Sequence, residues 1–216
     1  HGSIFPGPNN TIWACYTCGC GNEHLFERRI GIDPAGFDSE GNLFVKGASE
    51  TPQWAPGLVA DPANEGNDAG LLPVTVTKRV YASSERYGLE AFNACDNLVR
   101  TRWEAAPDDK APWLEVDLVS LFRISAIRIL WAEPGLDYTR NILPGPFRYR
   151  VLVSESETGD SWSEALDRSM NATDFLIDYR TFSPIRARRL KLEITGIPEG
   201  LNTSIISFTA FGICDT

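Results

Sequence analysis

Residues Ala91–Leu118 read AFNACDNLVRTRWEAAPDDKAPWLEVDL, and two signals within them decide the fold. The first is Asp96-Asn97-Leu98-Val99-Arg100-Thr101-Arg102-Trp103. Asp96, Asn97 and Thr101 place hard oxygen atoms in one tight loop, and such oxygens suit Ca²⁺. The second is Trp113-Leu114-Glu115-Val116-Asp117-Leu118, in which apolar and acidic residues alternate. That period describes a half-buried strand with one wet face. Two signals about ten residues apart have the rhythm of a short-strand all-β domain.

The flanking sequence keeps this character. Val74–Lys78 alternates β-branched with polar residues and reads as a first strand. Glu85–Asn93 reads as a short helix or turn leading into the Asp96 loop. Ile124–Trp131 alternates, with Ile124, Ala126, Arg128 and Leu130 expected on one face. Phe147–Ser154 alternates through Tyr149, Val151 and Val153. Phe175–Tyr179, Arg186–Ile194 and Ile205–Phe211 complete the set. No long helical period appears, so the expectation is a jelly-roll β-sandwich of about 140 residues.

This pattern resembles the coagulation factor 5/8 type C (discoidin) domain, and most closely the family 32 carbohydrate-binding modules. Their opening usually reads D-G-x-x-x-T-x-W, followed by W-L-x-V-D-L-G. The chain matches except at Asn97 and Val119, where Gly is usual. Ser154-Glu155-Ser156 with Trp162, and Ala187–Leu192, resemble later strands of the same domain. The resemblance spans Val74–Cys214 and implies a structural Ca²⁺ held by Asp96, Thr101 and Asn97. The family usually adds a Glu near the last strand, where this chain has Ser207. The competing reading of the loop is a turn in which Asp96 caps backbone N–H groups. The resemblance also implies a sugar-binding loop. Tyr138-Thr139-Arg140-Asn141, before Pro144-Gly145-Pro146, is the counterpart, with Arg140 and Asn141 as hydroxyl partners and Tyr138 or Trp131 as the stacking ring. A planar guanidinium suits vicinal hydroxyls. The galactose-type His is missing, and no aromatic occupies Gly196–Ser204. The other reading of Arg140 is an ion-paired surface loop that docks a neighbouring domain.

The first 57 residues read differently. Thr11–Tyr16 and Leu25–Ile32 are strands, Asp38–Asn42 is a hairpin turn, Leu43–Lys46 is its return, and Thr51-Pro52-Gln53 leads out. Short antiparallel strands with a Pro-rich exit make one propeller blade. The order His1-Gly2-Ser3, Trp13 and Tyr16, Arg28–Asp33, Asp38–Asn42 and Thr51-Pro52-Gln53 resembles the end of the five-bladed propeller of glycoside hydrolase family 43. A lone blade cannot cover both faces of its sheet. The chain is thus expected to be a processed product or a fragment whose remaining propeller lies upstream. Asp33, Asp38, Glu40 and Glu50 read as solvated. No pair of carboxylates that could flank a glycosidic bond is identifiable, so the chain by itself is not expected to hydrolyse anything.

The expected organisation is all-β: a partial propeller blade at 1–57, a linker at 58–73 and a discoidin-like jelly-roll β-sandwich at 74–216. Net charge is −9, which disfavours nucleic acid and anionic membranes. Up to Pro73 there are three basic and nine acidic residues; from Val74 onward, seventeen and twenty. The expected partners are carbohydrate and the upstream propeller, and the expected location is secreted, periplasmic or extracellular. Three sequons begin at Asn9, Asn171 and Asn202. Cys15, Cys18 and Cys20 cluster near His24, a Zn²⁺-like spacing; buried thiols or one local disulfide are the alternative. Discoidin domains often tie their ends together, which would pair Cys95 with Cys214. Two function classes remain open. One is a binding or bracing module of a glycan-acting hydrolase. The other is a non-enzymatic adhesion or scaffold protein.

Overall fold

The computed structural model describes residues 1–19, 28–57 and 70–215. The chain is all-β and divides into two compact units, His1–Leu72 and Pro73–Thr216. Among the described residues no helix is long and apolar enough to cross a membrane.

The first unit is a four-stranded antiparallel meander in chain order: β1 (Gly2–Pro6), β2 (Ile12–Gly19), β3 (Arg28–Phe37) and β4 (Leu43–Val45). The β3–β4 hairpin is closed by Asp38, whose Oδ1 accepts from the N–H groups of Glu40 (2.9 Å) and Asn42 (2.8 Å). Gly41 supplies the left-handed residue that this turn needs, at φ 83°. Registered pairs put Phe5, Trp13, Ile32 and Phe44 on one face, and Ile4, Ala14, Asp33 and Phe37 on the other. Both faces thus carry apolar side chains. Among the described residues of this unit only Trp13, Ala14 and Asp33 are buried.

Asp33 overturns the expectation of a solvated carboxylate. It accepts hydrogen bonds from Tyr16 Oη and Ser49 Oγ, from the Ser49 N–H (3.3 Å) and from Gln53 Nε2 (3.0 Å). Burial pushes its pKa up, but the bonds from Ser49, Tyr16 and Gln53 together hold it below the ordinary value. Asp33 therefore pins the Ser49–Gln53 exit to the sheet. The expected linker, 58–73, falls mostly outside the described residues.

The second unit is organised by two long antiparallel strands, β8 (Trp113–Trp131) and β11 (Ile177–Gly196). Each serves both layers of a sandwich. The first half of β8 pairs with β6 (Arg79–Ala82) and with residues 189–193 of β11. That half of β11 continues into β9 (Arg148–Ser154), which pairs with β10 (Ser163–Asp167). The second half of β8 pairs with residues 177–187 of β11 and with β12 (Ser204–Cys214). Short β5 (Leu72–Pro73) and β7 (Trp103–Glu104) attach to β12. Register shifts in β11 at Thr181/Ile185 and Ala187/Arg189, and Val119 at φ 71° in β8, mark where the strands bend. The core between the layers is built from Leu114, Val116, Leu118, Tyr149, Val151, Val153, Leu190 and Leu192 of one layer, with Ile127, Ile129 and Phe208 from the other.

Two expectations are corrected here. Val74–Lys78 is a turn rather than a strand: its hydrogen bonds run Val76 N to Pro73 O and Lys78 N to Thr75 O, and Thr77 sits at φ 58°. Buried Thr75 serves β12 instead, donating to Phe208 O and accepting from Ala210 N, both at 3.0 Å. In β8 the phase changes after Ile124. Ile127, Ile129 and Trp131 enter the main core, while Leu130 packs with Ala132 and Ile206 in a second cluster.

Candidate functional site

The Asp96 loop is compact and self-bonded. Asp96 Oδ1 accepts from Leu98 N–H (2.8 Å) and Oδ2 from Thr101 Oγ1 (2.7 Å). Thr101 Oγ1 also lies 3.1 Å from Leu98 O. Asn97 is left-handed at φ 63°, a conformation that Asn adopts more readily than most residues. The loop thus gathers one carboxylate, one hydroxyl and one carbonyl, hard donors of the kind Ca²⁺ takes in shells of six to eight. Ser207 Oγ, on β12, is 3.1 Å from Thr209 Oγ1. Among the described residues no three His, Cys, Asp or Glu side chains assemble as a metal site.

The loop between β8 and β9 is built around Asp137. Its Oδ1 accepts from Thr139 N (2.9 Å), Thr139 Oγ1 (2.6 Å) and Arg140 N (3.3 Å), while Oδ2 accepts from Arg140 Nε (2.7 Å). The Thr139 and Arg140 donors bring its carboxyl down to about 2. Asn141 ends the turn in the left-handed region at φ 59°. Tyr138 is 68% exposed, and the Arg140 side chain 69%. The structure therefore presents Tyr138 and Arg140 together on one rim.

Trp131 is not on that rim. It is fully buried, stacked on Phe147 with centroids 4.3 Å apart and tilted against Tyr149 at 5.8 Å. It is a core residue, and its expected role as a sugar platform is withdrawn.

A further cluster lay outside the sequence reading. Glu104, the residue after Trp103, is buried, and its side chain is 1% exposed. Its carboxylate accepts from Arg86 Nη1, from Arg102 Nη2 (3.4 Å) and from Asn202 Nδ2 (3.4 Å). A buried carboxylate persists where cations and donors surround it. Asn202 also joins the neighbouring loop, its N–H donating to Pro134 O at 3.3 Å. The Glu104 cluster and the Asp137 loop therefore meet at Asn202. The available signal was an acid wedged between Trp103 and Ala105, with Arg102 beside it.

Cys95 is buried, its Sγ 3.5 Å from Phe208 O, and burial followed by the nearby Asp96 charge pushes its thiol up to about 12. Cys214 is exposed and both thiols are free, so the Cys95–Cys214 tie is absent. Cys15 is also a free thiol; Cys20 and His24, two of the four residues with Zn²⁺-like spacing, lie outside the described residues. The Asn171 amide is buried and donates to Phe147 O and Thr173 O, which closes that sequon in the folded chain.

Residues 79–208 match the family model described as F5/8 type C domain. Among solved structures, chitosan-binding module 1 of a chitosanase/glucanase from Paenibacillus sp. IK-5 is similar in fold. It is 24% identical with a TM-score of 0.55, and the match covers 65% of this chain and 99% of that one. Module 2 of that enzyme, solved with chitotriose, is 21% identical with a TM-score of 0.54, covering 63% and 98%. The family 32 carbohydrate-binding module of Clostridium perfringens NanJ, solved with galactose, is 19% identical with a TM-score of 0.52, covering 65% and 97%. No curated protein matches the chain.

Proposed function

Because the chain belongs to the F5/8 type C domain family, we propose that its sandwich binds carbohydrate through the loops that meet at Asn202. One observation carries this reading. Exposed aromatic rings and anchored guanidinium groups sit together on the same turns, Tyr138 with Arg140 and Tyr87 with Arg86. A sugar needs such a set: a flat apolar face for its C–H groups and a fixed donor fork for its hydroxyls. That similar folds were solved with chitotriose and galactose supports the choice of ligand class. The net charge of −9 favours neutral or amino sugars over polyanionic glycans. Calorimetry with chitotriose and galactose, followed by a wider neutral glycan panel, tests this. Saturable binding is expected, and silence across the panel would sink the reading.

Ca²⁺ enters as a structural ion. Asp96, Thr101 and the Leu98 carbonyl would hold it, Asn97 providing the backbone bend, with further carbonyls and water completing the shell. Binding would raise the melting temperature in the parent and not in Asp96→Asn. Equal melting curves in Ca²⁺ and in chelator would assign the loop to hydrogen bonding alone.

The first unit is proposed as the last blade of a propeller in a secreted or periplasmic glycan-acting hydrolase of the family 43 type. The meander order and the apolar side chains on both faces of its sheet support this. The intact mass of the protein from its native source tests it. A mass with a propeller's worth of residues upstream is expected, and a native product beginning at His1 would overturn it.

A further inference from the structure

We propose that Arg86 and Tyr87 make the sugar contacts at this end of the sandwich, and that Glu104 is the buried positioning residue that aims Arg86; this rests on the carbohydrate reading above. The ligand class is a pyranose that offers a C–H face to the Tyr87 ring and vicinal hydroxyls to the Arg86 guanidinium.

The turn at residues 86–89 is clamped from both sides. Arg86 N donates to Glu104 O (2.9 Å) and Glu104 N to Leu89 O (3.1 Å), so the backbone of Glu104 holds both ends of the turn. Leu89 N closes it onto Arg86 O at 2.9 Å. Gly88, at φ 81°, gives the left-handed residue at the tip, and its N–H donates to Glu90 Oε1 (2.9 Å). Glu85 Oε1 accepts from Ala91 N at 3.0 Å on the other flank. A turn held this tightly loses little freedom when a ligand binds.

Its tip nevertheless carries Tyr87 at 103% relative exposure, the barest large apolar side chain of the described residues. A Cβ added at the neighbouring Gly88 would meet nothing within 4 Å, so the space around the tip is open. Aromatic rings presented on rigid backbone, with few torsions to freeze, are efficient contact surfaces.

Arg86 is half in and half out. One edge of its guanidinium rests on Glu104, and the side chain remains 47% exposed. Glu104 itself is in no position to touch a ligand: its side chain is 1% exposed and takes Arg86, Arg102 and Asn202 as donors. Its effect on a sugar is transmitted through Arg86. Arg140 is anchored less firmly, by an Asp137 side chain that is itself 30% exposed.

Calorimetry on the full chain, with chitotriose and galactose as probes, tests the assignment. Tyr87→Ala is expected to weaken the tighter-binding probe at least tenfold with an unchanged melting temperature. Arg86→Ala and Glu104→Gln should each weaken it by a similar factor. The double variant Arg86→Ala/Glu104→Gln should be no weaker than Arg86→Ala alone, since the two act through one contact. A Tyr87→Ala affinity within twofold of the parent would overturn the contact while leaving the carbohydrate reading intact. A double variant weaker than Arg86→Ala by the full single-variant factor would show that Glu104 touches the sugar, and would overturn its positioning role. If Glu104→Gln fails to fold, Tyr87→Ala and Arg86→Lys still decide, Arg86→Lys being expected to lose the fork and most of the affinity. A parent chain that binds neither probe nor the wider panel overturns both readings together.

Discussion

Two residues depart from the family's usual pattern, and backbone conformation explains both. Asn97 and Val119 stand where Gly is usual, and both have positive φ, 63° and 71°. Asn tolerates that region, but a β-branched side chain does so only under strain. Val119 is 59% exposed, so its side chain has little packing to lose. Val119→Gly is therefore expected to stabilise the chain by about 1 kcal/mol, read from the urea midpoint at constant slope. Asn97→Gly should move it by only a few tenths. A destabilised Val119→Gly would mean that the valine side chain makes a contact worth more than the strain. Asp137 gives a pH signature at the same scale. Its folded pKa of about 2 lies below the ordinary 3.8, because Thr139 and Arg140 donate to the charged form. The sign follows: the cap contributes fully above pH 3.8 and is lost as pH falls through about 2. Carboxyl NMR should show Asp137 titrating near 2, with the Thr139 and Arg140 amides shifting in the same window. A midpoint near 3.8 would mean an open loop in solution.

At the scale of the element, the alternation in Trp113–Leu118 was legible because its inward residues, Leu114, Val116 and Leu118, point into a single core. Phe147–Ser154 was legible for the same reason. What the sequence could not show is that Trp113–Leu118 and Ile124–Trp131 are one strand. The bend at Val119 and the shifts in the partner strands add residues that break the two-residue count, so Ile124 enters the core with Ile127 and Ile129 and leaves the face on which it was expected with Ala126, Arg128 and Leu130. Trp131 was expected as a sugar platform because it stands near the loop in sequence, whereas its burial is decided by Phe147 and Tyr149 on a different stretch of chain. Glu104 was missed because burial of a charge is decided by Arg86 and Asn202, which lie far from it in sequence. The turn between β7 and β8 shows the same kind of long-range closure. Asp109 Oδ2 accepts from Ser83 Oγ (2.5 Å) and Ser84 Oγ (2.6 Å), and Oδ1 from Ala111 N (3.0 Å). Ser83 and Ser84 in turn accept from the N–H groups of Trp113 and Ala106, both at 3.0 Å. Burial raises the Asp109 pKa, but the two hydroxyls and the amide win and lower it. Asp109→Ala should cost about 2 kcal/mol in denaturant melts, since it strands donors to a charged acceptor. A loss under a few tenths would show that water replaces the carboxylate at this turn.

Across the whole molecule, the two units differ in how they are held together. The residues of both buried hydrophobic clusters, from Val74 to Phe208 and Ala210, belong to the second unit. The first unit contributes Trp13, Ala14 and Asp33 as its buried residues among those described, while Ile30 is 78% and Phe37 59% exposed. Burial of apolar surface is the main favourable term in folding, and a sheet with so few buried side chains among its described residues gains little of it. The second unit has its own core and a size at which domains fold alone. Residues 73–216 expressed by themselves should therefore melt cooperatively within about 2 °C of the full chain, a shift no larger than the roughly 2–4 °C that 1 kcal/mol produces in a domain of about 150 residues. Residues 1–57 alone should show no cooperative transition, and should gain one only when covered by further sheet. Should residues 73–216 instead unfold or lose several degrees, the first unit would be supplying stability to the sandwich, and bracing between the units would become the role to explain. Should residues 1–57 melt cooperatively alone, their exposed apolar faces would need no neighbouring blade, and the propeller reading would lose its physical support.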